Sequence, residues 1–214
     1  AHARMNEMKH FVPRMPMAAL RKMFLDAAAH SIPRRSLATA QRFVFAAGLL
    51  CLILMSAPTL RLAKPGDAQA IALMSRELIE TGLKGWQWDP RRVVRAIEAR
   101  ETLVVTAGVQ KHLTGFAIMN FGDEQAHLSL LAVRPSHQRC GIGCSLLAWL
   151  EESALVAGIT TINLELRAHN YNAREFYRAM RFKEVAYIPG YYNGVETALR
   201  MSRDIRRQIP DRIS

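Results

Sequence analysis

The sequence predicts an α/β (α+β) domain: a mixed, mostly antiparallel central sheet of about six to seven strands flanked by four helices, behind an N-terminal extension. Three observations carry this. From residue 59 onward, apolar positions recur at a period of two in some segments and near 3.6 in others, in the order βααβββαβαββ. Three of the strand-like runs follow one another with only short polar or glycine-containing turns between them, which implies an antiparallel meander. Residues 1–58 differ from the rest in charge and in carrying an uninterrupted apolar run. Half of the 214 residues are hydrophobic, enough for one core, and the chain is somewhat long for a single compact domain.

Residues 59–67, TLRLAKPGD, alternate apolar and polar positions before a turn at Pro65-Gly66 and read as the first strand. Asp67 then caps a helix over 68–81, in which Ile71, Met74, Leu78 and Ile79 form one apolar stripe, and Gly82 and Gly85 end it. Asp89-Pro90 supplies an N-cap and a first-turn proline for a second helix to residue 100, with Val93, Val94 and Ile97 inward. The meander is TLVVTAGV (102–109), LTGFAIMNF (113–121) and AHLSLLAV (126–133). A helix over 142–156 follows, with Leu146, Leu147, Leu150 and Ala154 on one side, then strand TTINLEL (160–166) and a helix over 171–180. FKEVAYI (182–188) and VETALRM (195–201) pair as a closing hairpin around a Pro189-Gly190 turn region, and residues 203–214 form a basic tail.

Against 18 Asp and Glu stand 29 Lys and Arg, a formal charge of +11, which favours anionic partners such as nucleic acid, anionic lipid or a phosphorylated cofactor. Residues 59–214 show no basic run interleaved with aromatics, no recognition helix and no zinc-finger spacing, so nucleic acid is not an expected partner. Cys51, Cys140 and Cys144 are an odd, sparse set that makes a poor disulfide framework and fits a reducing compartment. Cys140 and Cys144 have no histidine or further cysteine at ligand spacing nearby, so no metal is expected.

After the strand at 126–133 the chain reads Arg134-Pro135-Ser136-His137-Gln138-Arg139-Cys140-Gly141-Ile142-Gly143 and enters the long helix. Such a glycine-containing loop is an anion site. The first-turn N–H groups lack intrahelical acceptors, the helix dipole adds positive potential, and glycine lets a phosphate approach the main chain. A pyrophosphate is the expected guest. The loop lacks the Gly-Lys-Ser/Thr ending of a P-loop and is not the Gly-x-Gly-x-x-Gly dinucleotide fingerprint. Gln-Arg-x-Gly-x-Gly after a strand, followed by Leu164-Glu165-Leu166-Arg167, Asn170 and Tyr177 before Phe182, resembles the GNAT superfamily of N-acetyltransferases. Within it the sequence is most similar to the bacterial enzymes that acetylate the N-terminal alanine of a ribosomal protein. The resemblance covers residues 59–202, and the family's signature loop, Gln/Arg-x-x-Gly-x-Gly/Ala, falls on Gln138, Gly141 and Gly143.

The resemblance implies acetyl-CoA as acetyl donor, its pyrophosphate held at Gln138 and by the main-chain amides of Arg139, Cys140, Gly141, Ile142, Gly143 and Cys144. It further implies that the strand before the loop splays at a bulge. Leu131, Ala132 and Val133 then pair with the pantetheine arm and polarise the thioester carbonyl, a placement that contributes on the order of 10²-fold or more in rate. Transfer to an amine moves one proton off the ammonium and one onto the departing thiolate, so two groups on opposite sides are needed. Glu165 matches the family's general base, acting directly or through water, and Tyr177 matches its acid. Asn170 matches a cofactor-contacting residue and equally reads as a helix cap. The acceptor is implied to enter between the first two helices and the closing hairpin, which nominates Trp86, Trp88, Tyr187, Tyr191, Tyr192 and Glu196, although these aromatics equally read as packing residues. Cys140 and Cys144 stand where relatives more commonly carry basic residues, and Arg181 stands where a glycine usually ends the tyrosine helix.

The expected function is therefore direct transfer of acetyl from acetyl-CoA to a primary amine, a protein N-terminal amine foremost, in a ternary complex. A CoA-binding sensor or partner module without turnover, and an acetyltransferase of a small amine, are the alternatives. Retention of both Glu165 and Tyr177 favours the enzyme. Because acetyl-CoA is a cytoplasmic metabolite, the expected location is the cytoplasm. The extension pulls the other way: FVFAAGLLCLILMSAP at 43–58, preceded by Arg34, Arg35 and Arg42, resembles a membrane-directed segment, yet is shorter than the roughly 20 apolar residues of a spanning helix. Three readings stand open: an export or anchor signal, a hydrophobic helix packed on the domain, and residues upstream of the true start. The last is the expectation, and membrane contact through 43–58 is not favoured.

Overall fold

In a computed structural model of the chain, residues 58–109 and 112–206 are described. The extension, apart from its last residue, and the tail beyond residue 206 lie outside them. The elements in order are β1 (Thr59–Leu62), α1 (Ala68–Leu78), α2 (Pro90–Glu98), β2 (Thr102–Val109), β3 (His112–Phe121), β4 (Gln125–Val133), α3 (Ile142–Val156), β5 (Thr161–Arg167), α4 (Tyr171–Ala179), β6 (Lys183–Tyr192) and β7 (Glu196–Asp204). One sheet of order β1-β2-β3-β4-β5-β7-β6 holds all seven strands, and every pairing is antiparallel except β4 with β5. Among the described residues, no helix is long and apolar enough to cross a membrane.

The two sheet faces bury separate cores. On one, Leu146, Leu147 and Leu150 of α3 pack on Val105, Ala117, Met119, Ile162, Leu164 and Leu199. On the other, Ile71 and Met74 of α1 and Val93 and Ile97 of α2 cover Val104, Phe116, Ile118, Leu130 and Ala132. These are the stripes that the helical periodicity predicts. Asp89 caps α2 as expected, its Oδ1 accepting the Arg92 N–H at 2.7 Å.

Three local expectations change. Asp67 makes no side-chain cap on α1; it closes the preceding 3₁₀ turn, accepting the Lys64 N–H at 2.7 Å, and pairs with Arg61. Pro189-Gly190 is not the hairpin turn. β6 continues through both with an irregular register between Ile188 and Tyr192, and the chain reverses at Asn193 and Gly194, both at positive φ. A proline is tolerated there because β6 is the sheet's edge strand. At the other end β7 runs on to Asp204, which pairs with Thr161, so Arg203 belongs to the sheet rather than to a tail.

β4 is shaped to leave β5. In its ladder with β3, Ile118 opposes Leu130 and Met119 opposes Leu128, so Ser129 is one residue extra. An insertion of one in a period-two strand reverses the face of every later side chain. Ala126 and Leu128 accordingly join the α3 core, whereas beyond the bulge Leu130 and Ala132 join the α1–α2 core and Leu131 and Val133 take over the α3 side. The bulge is pinned: the Thr102 hydroxyl donates to Asn120 Oδ1 at 2.8 Å, and Asn120 Nδ2 donates to the Ser129 hydroxyl at 2.7 Å. β4 pairs with β5 only at Gln125, Ala126 and His127.

α4 closes with Arg181 at φ 65 and with the Phe182 N–H donating to the Tyr177 carbonyl at 2.9 Å. That is a left-handed closure in which a side chain costs about 1 kcal/mol relative to glycine. Arg181→Gly is therefore expected to stabilise the domain by about 0.5–1 kcal/mol, read as a higher urea midpoint with an unchanged slope.

Candidate active site

The loop between β4 and α3 has the backbone of an anion cradle. Gly141 at φ 80 is the N-cap of α3, and a Cβ built on it would meet nothing within 4 Å, so the space above the loop is open. Gly143 serves a different purpose: an added Cβ would come within 3.3 Å of two Phe176 ring carbons, so a larger residue would make α4 shift by a few tenths of an ångström from the first turn of α3. Ser145 is the first residue whose N–H bonds back, to the Gly141 carbonyl at 3.0 Å. The first-turn amides ahead of it have no intrahelical acceptor. Gln138 shapes the loop, its Nε2 donating to the Val133 carbonyl at 3.0 Å. Burial pushes the Cys144 thiol up, so it stays neutral beside this turn, while Cys140 is exposed.

From Leu128 onward β4 has no ladder to β5, whose other edge pairs with β7 along its whole length. Leu131, Ala132 and Val133 lie on this parted stretch. The face of β5 opposite its core residues Ile162, Leu164 and Leu166 carries Asn163, Glu165 and Arg167. Glu165 is the hub of the first polar cluster, its side chain only 6% exposed. Arg200, its register partner on β7, donates from Nε to Oε1 at 2.7 Å. His127 Nε2 lies 3.4 Å from Oε2, and the Tyr191 hydroxyl donates to the same oxygen at 3.5 Å.

Arg167 is the hub of a second cluster. Its Nη2 donates to the Thr81 carbonyl at 2.7 Å, and its guanidinium lies 6.0 Å from the Tyr192 ring. Its Nε is 3.3 Å from Glu196 Oε2, which is buried and accepts no aligned hydrogen bond. Tyr177 stands edge-on between Phe176 and Phe182, with ring centroids 5.1 and 5.4 Å away. Burial first, and then the neighbouring Tyr192, push its phenol well above the ordinary range, so it is protonated at any working pH. Burial raises Tyr192 and Tyr191 too, with the Glu165 carboxylate adding to both shifts.

Of the residues singled out from sequence, Glu165 and Tyr191 meet directly, and Tyr192 links them electrostatically to Tyr177 and Glu196. Others lie apart. Asn170 caps α4, its Oδ1 accepting the Ala173 N–H at 3.1 Å. Tyr187 stands opposite the core residue Leu199 in the β6–β7 register, with Arg174 of α4 within electrostatic reach. Trp86 is 37% exposed on the α1–α2 loop, and Trp88 is half-buried with the Arg92 guanidinium 4.3 Å from its ring. Among the described residues, no group of His, Cys, Asp and Glu could hold a metal ion.

The sequence reading missed His127, Arg200, Arg167 and Glu80. Glu80 is 2% exposed and accepts from the Ser75 hydroxyl at 2.9 Å, the Gln87 N–H at 2.6 Å and the Trp88 N–H at 3.2 Å, which folds the α1–α2 loop under itself. A signal for it existed: an acid just beyond a helix C-terminus opposes the dipole and needs some other reason to be there. No comparable signal marks His127 or Arg200, whose proximity to Glu165 depends on strand register.

A mostly antiparallel sheet that parts beside a glycine-entered helix, with a carboxylate and a shielded phenol on the neighbouring elements, defines the class of mixed α/β folds to which this chain belongs. Residues 71–182 match the Acetyltransferase (GNAT) family, and the chain belongs to that family. Over 96 residues it is 34% identical to the [ribosomal protein bS18]-alanine N-acetyltransferase of Escherichia coli (strain K12). That alignment spans 44% of this chain and 65% of the relative. The fold resembles Ard1 from Thermoplasma volcanium with a TM-score of 0.63 at 20% identity, covering 71% of this chain and 99% of that one. It also resembles Arabidopsis thaliana NAA60 in complex with acetyl-CoA, with a TM-score of 0.61 at 15% identity over 69% of this chain and 98% of that one.

Replacing Glu80 by alanine removes the acceptor of two loop N–H groups and a buried hydroxyl. It is expected to lower stability by about 1–3 kcal/mol and to move Trp86 and Trp88 toward water, read as a red shift in tryptophan emission.

Proposed function

We propose that this chain moves an acetyl group from acetyl-CoA to a primary amine, a protein N-terminal amine foremost, by direct transfer in a ternary complex, and that it works in the cytoplasm, where acetyl-CoA is available. The observation that carries this reading is the parting of β4 from β5, which leaves the stretch carrying Leu131, Ala132 and Val133 paired with β3 on one edge and with no strand on the other, between the α3 N-terminus and the Glu165 cluster. Family membership and the acetyl-CoA complex of NAA60 support it. The name of the Escherichia coli relative supports a protein N-terminus as acceptor.

The residues present fit such a donor. A pyrophosphate suits the open space over Gly141 and the first-turn amides of α3, and a thin pantetheine arm suits an unpaired strand edge. When bound, the CoA thioester supplies the activated acetyl group. The loop from Arg139 to Cys144 holds the diphosphate chiefly through main-chain amides, with no lysine or arginine at 140 or 144. Leu131, Ala132 and Val133 align the arm and polarise the thioester carbonyl. Glu165 serves the amine side. Tyr177, kept protonated by its burial, donates its phenolic hydrogen to the departing sulfur. Tyr191, Tyr192 and Glu196 frame the incoming amine, and Arg167 ties that hairpin to the α1–α2 loop through Thr81.

Thiol release from acetyl-CoA with an alanine-initiated peptide, and separately with small primary amines, tests the reaction and its acceptor class. Tyr177→Phe is expected to lower kcat on the order of 10²-fold while leaving the Kd for acetyl-CoA unchanged. A wild-type kcat in that variant removes the acid assignment, and calorimetry showing no binding of any CoA ester by the folded protein overturns the function.

A further inference from the structure

We propose that His127 is the catalytic residue that takes the proton from the incoming ammonium, and that Glu165 positions it; this deepens the acetyltransferase reading and rests on it. Glu165 is poorly disposed to meet an ammonium itself. Its side chain is only 6% exposed, Oε1 accepts from Arg200 and Oε2 faces both His127 and the Tyr191 hydroxyl. A general base must come within hydrogen-bond reach of the proton it abstracts, directly or through one water, and both Glu165 oxygens already face protein groups. The imidazole of His127 is 42% exposed and stands on the open side of that carboxylate.

Three features of the fold put it there. His127 is the last β4 residue paired with β5, opposite Asn163, so its ring stands where the two strands part. It precedes the extra residue Ser129 and therefore points to the Glu165 face, away from the core that holds Ala126 and Leu128. The titratable and charged groups around it are few. Glu165 on β5 faces it directly, Arg200 on β7 and Tyr191 on β6 reach it through Glu165, and its β3 partner Asn120 is neutral and already bonded to Thr102 and Ser129.

A carboxylate at one imidazole nitrogen fixes the tautomer and stabilises the cation that forms when the other nitrogen takes a proton. With Glu165 at Nε2, the proton of neutral His127 sits on Nε2 and the lone pair of Nδ1 is the acceptor. The present 3.4 Å separation is looser than a hydrogen bond, and such contacts tighten when substrate binds. The balance of the step is as follows. The ammonium gives one proton to His127 Nδ1 and becomes a neutral amine. Its nitrogen forms a bond to the acetyl carbon as the carbon–sulfur bond breaks. The thiolate takes the Tyr177 phenolic proton, and the nitrogen's second proton returns to Tyr177. One proton, carried by His127, is released to water.

The full chain is assayed with acetyl-CoA and two acceptors: an alanine-initiated peptide, and the same peptide initiated by an aminooxyacetyl group, whose amine is already neutral at neutral pH. His127→Gln is expected to lower kcat/KM for the first on the order of 10²-fold or more, and for the second by less than about 10-fold. Acetyl-CoA affinity and thermal midpoint stay unchanged, and imidazole added to His127→Ala restores part of the rate. Glu165→Gln, which leaves the imidazole without its carboxylate, is expected to lower kcat/KM for the alanine-initiated peptide more than for the aminooxyacetyl peptide, with acetyl-CoA affinity unchanged. Equal losses on both acceptors, or wild-type rates in His127→Gln, overturn the role of His127 while leaving the transferase reading intact. Failure of the unmodified chain to transfer acetyl to either acceptor or to small amines sinks the transferase reading itself.

Discussion

Everything about the candidate site depends on two parallel strands that pair for three residues and then separate. Main-chain N–H and C=O groups away from water need partners, so a strand that loses its neighbour inside a sheet must be served by something else. In β4 the single extra residue, Ser129, sets up the loss: it reverses the facing of Leu130, Ala132 and their neighbours and bends the strand away from β5, which keeps β7 on its other edge throughout. The unpaired stretch is short and leads into the loop that enters α3, so an extended guest bonded along it would bring its charged end toward the helix N-terminus. Geometry of that kind selects a long, thin ligand with an anionic group at one end.

The second theme is the handling of charge. Glu165 and Glu196 both lie in sheltered positions, and each has an arginine from the neighbouring strand beside it, Arg200 and Arg167 respectively. A sheltered carboxylate without such a partner is strongly disfavoured. Pairing holds the two acids in place, and in the proposed reaction that makes Glu165 better suited to orienting an imidazole than to travelling toward an amine. Tyr177 is handled in the opposite way. Aromatic neighbours exclude water around its ring, and its phenol stays protonated as a result. In the proposed reaction, one cluster accepts a proton and the other holds one until the thiolate departs.

Legibility in the sequence followed the range of the interaction. The helices over Ile71–Met74 positions, the Asp89 cap and the meander were readable because each depends on neighbours three or four residues away, or two in a strand. Asp67 and the β6 turn went wrong where two local solutions compete: Asp67 is bonded by Arg61 as well as by Lys64, and Pro189 is accepted by an edge strand that has no second partner to satisfy. In the site, the glycines, Glu165 and Tyr177 stand in a recognisable linear order. His127 and Arg200 do not, being 38 and 35 residues away from Glu165 in the chain.

The sequence alone determined the order and kind of elements, the helix entry at Gly141 and the family to which that pattern belongs, since these rest on local periodicity and on residue types at fixed spacing. Only the tertiary structure decided which side chains face the parted strands. Strand pairing sets that outcome, and a one-residue shift in register moves every side chain to the opposite face, so the meeting of His127, Glu165, Arg200 and Tyr191 exists only once β4, β5, β7 and β6 have been laid side by side.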